Sequence, residues 1–372
     1  MIEVTKEDVM LYATLVSALC TLGVFLIEIR KSRKAKRAQE VSRAETSEDE
    51  KILRKLKPLG YISAILAAVL FGVHHVLAKD LVLSQGALHT VATRNFIGGV
   101  ILILFGSMLN RYSSNREEKF FTFNTLSIFV GSTGANVCYA LALTSLSATA
   151  ASALYKLNPI YVFFLVLWLN PKALKKIRWQ EALAASAMVS CGAIIAINGN
   201  LALEITQSVS ISSGVLLMIL AGVMWSIQNV YMKKEDFDPG FSSGKIVYIG
   251  KLLVCSSVVV GGSAFAIETE NTFGDIDFFP NLTLGLIWGV TFLLTFEAVN
   301  RIGALPTTAI ASFEVFFTGV FEAVISTLKL TWGLIIGSVL ILIGNLLLSK
   351  QDSNITASDN GGSPNKQSQS DA

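Results

Sequence analysis

A chain of 372 residues with 52% hydrophobic and 15% charged side chains has a mean hydropathy of +0.58. Soluble domains carry about 25% charged residues, so this composition excludes a soluble globular protein and puts most of the chain in lipid. The net charge of +3 is small, and the placement of the charges carries the information.

Eleven apolar runs follow one another, at residues 9–29, 60–79, 86–108, 124–144, 148–169, 180–198, 212–232, 242–267, 282–300, 304–326 and 332–349. Each has the length, about 20 residues, of a membrane-spanning helix. The first has an acidic leading flank (Glu3, Glu7, Asp8) and a basic cluster after it. A signal peptide has the reverse order, so residues 1–30 read as an uncleaved transmembrane anchor. Residues 31–57 form a charged cytoplasmic linker, partly helical. Residues 351–372, rich in Ser, Asn, Gln and Gly, read as a disordered cytoplasmic tail.

Basic residues recur in alternate loops: Arg111, Arg116 and Lys119; Lys172, Lys175, Lys176 and Arg178; Lys233 and Lys234; Arg301; Lys350. The intervening loops carry Glu204, Glu268, Glu270, Asp275 and Asp277 instead. With all eleven runs spanning, every basic loop falls on one side, which sets the N-terminus outside and the C-terminus in the cytoplasm. The expected location is the plasma membrane. Cys20, Cys138, Cys191 and Cys255 are scattered through apolar runs, with neither a disulfide framework nor a metal-site spacing. Asn281-Leu-Thr matches a glycosylation sequon but abuts a span, so it carries little weight.

The chain is organised around Thr149–Trp168, TAASALYKLNPIYVFFLVLW, where Lys156, Asn158 and Pro159 interrupt an apolar run. Thr149, Ser152, Lys156 and Pro159 share one helical face. A charge at bilayer depth costs at least about 2.5–3.5 kcal/mol, so it faces protein or a wet cavity. Ile302–Val324 aligns with this stretch at an offset of 156, which sets Glu314 opposite Asn158. Leu66–Asp80 aligns with Leu220–Lys234 at an offset of 154, and Ala185 and Gly192 align with Gly337 and Gly344 at 152. Two halves result, 58–200 and 210–350, with five spans each. An odd number of spans forces the second half to insert upside down, and inverted repeats are a mark of secondary transporters with a midplane site.

LAAVLFGVHHVLAKDL with TVATRNFIGGVILILF, CYALALTSLSATAASALYKLNPIYVFF, and AIASFEVFFTGVFEAVISTLKLTWGLIIGSVLILIGNLLL together resemble the drug/metabolite transporter superfamily, in its form with two EamA-like domains. The resemblance covers roughly 58–350. It implies an all-α membrane protein, a ten-helix inverted-repeat (5+5) transporter bundle, here with one extra N-terminal transmembrane helix. The chain departs from the family pattern at Phe71-Gly72 and Trp225-Ser226, where the family often has Trp-Gly. It departs again at Glu314-Val315, where Glu-Pro or Ser-Pro is usual.

Seven residues are candidate substrate ligands. Lys156 and Glu314, with Asn158, read as a clamp for a charged or zwitterionic molecule; the plainer reading is an ion pair that keeps the halves in register. Arg94 resembles an arginine common in the family, and Lys251 holds a similar place in the second half. Either could bind a carboxylate or phosphate, or snorkel to an interface. His75 and Asn229 occupy matching places, as ligands or as interhelical hydrogen-bond formers. A carboxylate beside a cation can exchange a proton with a wet cavity, so proton coupling stays open. No HExxH, GxSxG or phosphate-cradling loop occurs, which argues against an enzyme, a cofactor or direct ATP use, and nothing points to nucleic acid. Superfamily members that carry sugar phosphates resemble Lys156 but tend to have basic residues where Glu314 and Glu322 stand here. An amino-acid-like or amine-bearing small molecule is therefore the expected substrate. A sugar-phosphate or nucleotide-sugar exchanger is the alternative, as is a non-transporting membrane sensor or scaffold. Monomer and homodimer are both open.

Overall fold

The computed structural model describes residues 46–110, 123–169, 178–201, 208–234, 243–267, 278–302, 304–326 and 330–360. The expected span 9–29 lies outside the described residues, as do most of the loops. Every described element is a helix, because a backbone in lipid has no water to bond and must satisfy itself within its own segment. In order they are α1 (Thr46–Gln85), α2 (Ala87–Asn110), α3 (Phe123–Leu143), α4 (Ala148–Tyr155), α5 (Asn158–Leu169) and α6 (Trp179–Leu201). Then come α7 (Ser208–Lys234), α8 (Ser243–Ile267), α9 (Phe278–Ile302), α10 (Ala304–Ala311), α11 (Glu314–Ser326) and α12 (Trp332–Asn360).

Among the described residues seven helical stretches are long and apolar enough to cross a membrane, and Ser213–Gln228 and Trp332–Leu348 are shorter apolar helices. Residues 148–169 make the remaining crossing in two pieces, α4 and α5. Leu104, Trp168, Leu216, Val258 and Phe265 are exposed on the outside of the bundle, as residues facing lipid should be. The final helix does not stop at 349: it runs to Asn360, into the stretch expected to be disordered. Extending an existing helix fixes one residue per hydrogen bond, without the cost of a nucleus. Residues 361–372 lie outside the described residues.

Between α1 and α2 the turn is one residue, Gly86, at φ 97°. Its amide donates to Val82 O at 3.1 Å, closing α1, and its carbonyl accepts from the amide of Thr90 at 3.2 Å, opening α2. Only glycine adopts this left-handed conformation without strain.

Two pairs of symmetry-equivalent helices reveal how the halves are related. On α2 and α8, Ala92 lies by Gly261, Asn95 Nδ2 donates to Ser256 Oγ at 3.2 Å, and Gly99 lies against the Gly250 carbonyl. Residue numbers rise on one helix as they fall on the other, so the pair is antiparallel. α6 and α12 behave alike: Gly344 meets Ala185, and Gly337 meets Gly192 and Ala196. Equivalent helices that run in opposite directions make the repeat inverted. A Cβ on Gly99 or Gly250 would sit 2.8 Å from the other's carbonyl oxygen. In lipid, helices associate through such close contact of small residues. Gly285 and Gly289 likewise receive Ile97 and Ile101 of α2, so these glycines serve contacts within the chain.

Candidate functional site

The fourth and ninth spans of the bundle are each broken, at Lys156–Leu157 and at Ser312–Phe313. Starts and breaks recur at the offset of 156 read from the sequence: Ala148 and Ala304, Tyr155 and Ala311, Asn158 and Glu314. In the first break Pro159 brings no N–H and crowds the carbonyl four residues back, so the helix must restart. The second break has no proline. There the ladder tightens, with Ser312 N donating to Ala309 O at 3.0 Å and Phe313 N to Ile310 O at 3.0 Å, and then ends. Asn345 of α12 ties the two breaks together, its Nδ2 donating to Lys156 O at 3.4 Å and to Ser312 Oγ at 3.1 Å.

Charge gathers where the half-helices end. Lys156 caps the C-terminus of α4 and Glu314 opens α11, each at the helix end whose dipole favours its sign. Lys156 Nζ lies 2.8 Å from Glu314 Oε2 and 4.7 Å from the Tyr155 ring centroid. The other carboxylate oxygen, Oε1, accepts from His75 Nε2 at 3.2 Å, leaving His75 Nδ1 to accept from the Tyr139 hydroxyl. Glu314 is fully buried and belongs to the second repeat; Lys156, His75 and Tyr139 belong to the first. The seam between the inverted halves is therefore bridged by ions at its centre.

Around this network lies a cavity of about 310 Å³, bounded by residues from both halves. Its lining includes Lys156, Glu314, Asn158, Arg94, His75 and Trp288. Arg94 is 1% exposed. Its guanidinium donates to Asn136 Oδ1 at 2.7 Å and to His74 Nε2 at 3.3 Å and stacks 4.5 Å above the Trp288 ring. Among the described residues it has no carboxylate partner, and its Nε has no hydrogen-bond acceptor.

Two inverted five-span halves around a charged seam are matched by one family twice over: the EamA-like transporter family, at residues 58–197 and again at 212–350. The chain belongs to the EamA-like transporter family. It is accordingly a multi-pass membrane transporter of the drug/metabolite type, with a small-molecule substrate and a lipid environment. A solved structure titled only "Crystal structure of protein" matches with a TM-score of 0.53 and 15% identity, over 76% of this chain and 98% of that one. At that identity the likeness concerns the fold alone. The comparison with curated proteins gives no match.

Five of the seven candidate residues in this EamA-like chain line the one cavity: Lys156, Glu314, Arg94, His75 and Asn158. Asn158 Oδ1 accepts from the Ser226 hydroxyl at 2.6 Å, so it joins the first break to α7 of the other repeat. Lys251 is placed elsewhere: it is exposed on α8 and not part of the lining. Gly250 meets Gly99 reciprocally where α2 and α8 touch, and Lys251, the next residue, is turned about 100° away from that contact. The side chain of Asn229 lies outside the described residues, while its neighbour Gln228 lines the cavity. Tyr139, Trp288 and Asn345 are site residues that sequence reasoning passed over. Trp288 and Asn345 gave no charge to flag them; Tyr139 sits three residues beyond Asn136, a polar spacing on one face that was available to read. Asn281 is buried, in a reciprocal amide pair with Gln85, each Nδ2 or Nε2 donating at 2.8 Å. In the folded chain the sequon asparagine is therefore occupied as a packing residue.

Proposed function

We propose that the protein is a secondary transporter moving a small, amino-acid-like or amine-bearing metabolite by alternating access. The observation that carries this reading is a cavity at the seam of inverted halves, with broken helices presenting Lys156 and Glu314 at matching depth. Arg94, a buried cation without a carboxylate partner among the described residues, takes the substrate's carboxylate. Glu314 takes its amine, which must displace Lys156 or His75 to reach it. A volume of about 310 Å³ lies at the small end of the roughly 300–1,000 Å³ of ligand pockets, which suits an amino acid better than a nucleotide sugar. Proton coupling runs through Glu314, His75 and Tyr139, whose hydrogen bonds form an unbroken chain. The alternation of basic and acidic loops supports a C-terminal end in the cytoplasm, and the plasma membrane is the location this reading expects. One chain is the transporting unit in this reading, and its close-packed glycines Gly99, Gly250, Gly285 and Gly289 are used within the chain.

The surplus positive charge of Arg94 favours one other substrate, a small organic phosphate taken in exchange. Uptake and exchange in proteoliposomes, with a panel of amino acids, amines and sugar phosphates, separates the two. Lys156→Ala and Glu314→Gln each abolish transport in protein that still elutes as a monodisperse peak. Normal transport by both variants would remove the site.

A further inference from the structure

Away from the ion network, a second polar cluster joins the halves. Glu322 of α11 is buried, and its carboxylate accepts from three donors at the start of α4: Ala148 N at 3.0 Å, Thr149 N at 2.9 Å and Thr149 Oγ1 at 2.6 Å. Lys79 of α1, partly exposed, lies 3.7 Å from the same carboxylate. One side chain of the second repeat thereby holds two helices of the first.

The cluster sits at one end of the bundle. Following the crossings in order, the end of α1, the start of α4 and the end of α11 share a side. The start of α10 and the ends of α7 and α9, which carry Lys233, Lys234 and Arg301, share the other. The cavity extends toward that basic side: its lining continues through Gln228, Thr295, Val299, Thr307 and Thr308, and includes no residue from the last turns on the opposite side. The cavity thus extends toward the basic loops and stops short of Glu322. The inverted repeat offers a control within the molecule. At the offset of 156, the counterparts of Ala148 and Thr149 are Ala304 and Leu305, and the counterpart of Glu322 is Val166. Symmetry supplies a second helix start on the basic side, but there a leucine replaces the threonine hydroxyl and a valine replaces the carboxylate.

We propose that Glu322, Thr149 and Lys79 form a latch between the repeats that shuts the cavity on the side away from the basic loops, and that its release exposes the site to that side. The polar bonds hold α4 against α11 at the closed end. The sequence supplies neither the Glu322 carboxylate nor the Thr149 hydroxyl at the matching positions on the basic side, so the bonds that hold the far side closed have no equivalent there. A helix cap serving stability only would leave access unchanged when weakened. The proposal depends on the transporter reading for a two-sided cycle and on nothing about the substrate.

The test therefore uses no substrate. The full chain, with its native cysteines replaced and Ser132→Cys as a reporter in the cavity wall, is placed in vesicles of one orientation and labelled with a membrane-impermeant thiol reagent from each side. With the latch intact, labelling proceeds from the basic side and is at least tenfold slower from the other. Glu322→Gln, which removes the charge, and Lys79→Met, which leaves the three hydrogen bonds on α4 in place, each raise opposite-side labelling tenfold or more, and Lys79→Arg restores protection. Opposite-side labelling within twofold of the parent in Lys79→Met would overturn the latch. So would loss of folding in Lys79→Met, which would make the ion pair structural. Absence of uptake of every amino acid and amine by the parent chain, with latch-dependent labelling observed, would refute the substrate reading and leave the latch standing.

Discussion

Glu314→Gln tests whether Lys156 and Glu314 act as one unit, because it leaves the shape of the site nearly unchanged while removing a charge. In the parent, Lys156 Nζ and Glu314 Oε2 are 2.8 Å apart, with side-chain exposures of 10% and 0%. At an effective dielectric of about 20 that separation is worth roughly 6 kcal/mol of attraction, most of it offset by the cost of taking both ions out of water. The net value of the intact pair is therefore small. Removing one partner is a different matter, since it strands a buried cation and costs about 3–5 kcal/mol. The single variants Glu314→Gln and Lys156→Met should each lower the apparent melting temperature in detergent. The double variant should recover most of the loss, with a coupling energy of at least about 2 kcal/mol, within the 0.5–3 kcal/mol found for contacting residues. His75 sharpens the expectation, because it also donates to Glu314. Lys156→Met leaves the carboxylate one donor, and Glu314→Gln leaves both first-repeat groups facing an amide. The acid-side variant should be the milder for His75, which can still donate to the amide oxygen, and the worse for Lys156. Transport should be absent from all three. Strictly additive losses in the double variant would refute the coupled pair, and with it the seam as the place where substrate exchanges for an internal ion.

Arg94→Lys should raise the KM for a carboxylate-bearing substrate at least tenfold with a smaller change in maximal rate, because a lysine keeps charge but loses the planar fork; initial-rate uptake measures it, and an unchanged KM contradicts the carboxylate assignment. Asn345→Leu should slow transport without changing substrate affinity, since the residue bonds the two helix breaks; equilibrium binding beside uptake distinguishes the effects. Gly99→Val should destabilise the chain by several kcal/mol, because even a Cβ falls 2.8 Å from the Gly250 carbonyl, whereas Gly262→Ala, with nothing within 4 Å, should cost no more than about 0.5 kcal/mol. Expression in a glycosylating host should give a product whose mobility is unaffected by endoglycosidase at Asn281, because the residue lies in the first turn of the spanning helix α9 and not in an open loop.

Ser312 shows most clearly what the sequence could and could not disclose. Nothing local ends a helix there: Ser312-Phe313-Glu314-Val315 contains neither proline nor glycine, and taken alone residues 304–326 read as one unbroken span. The first break is legible in local chemistry, because Pro159 forbids the helix from passing through. The second becomes legible only through the offset of 156, which transfers the break from a stretch where covalent chemistry imposes it to one where it does not. What replaces the proline is tertiary: Asn345, a residue without charge in an apolar helix, donates to Ser312 Oγ, and no periodicity within α12 marks it as special. Lys156, Glu314 and Arg94 were visible because a charge within an apolar run is costly and therefore demands an explanation. Lys251 was equally visible and lies outside the cavity, because charge says that a residue needs a polar surrounding but not which side of its helix supplies one. The structure resolves that ambiguity: Gly250 faces Gly99 across the pair, each carbonyl 2.8 Å from where the other's Cβ would stand, so α2 and α8 touch backbone to backbone there and the next residue, Lys251, is turned outward. Inversion thus gives each half what the other lacks. The first repeat contributes cations, the second the carboxylates of Glu314 and Glu322, and the same offset that makes the backbones equivalent leaves the two sides of the bundle chemically unequal.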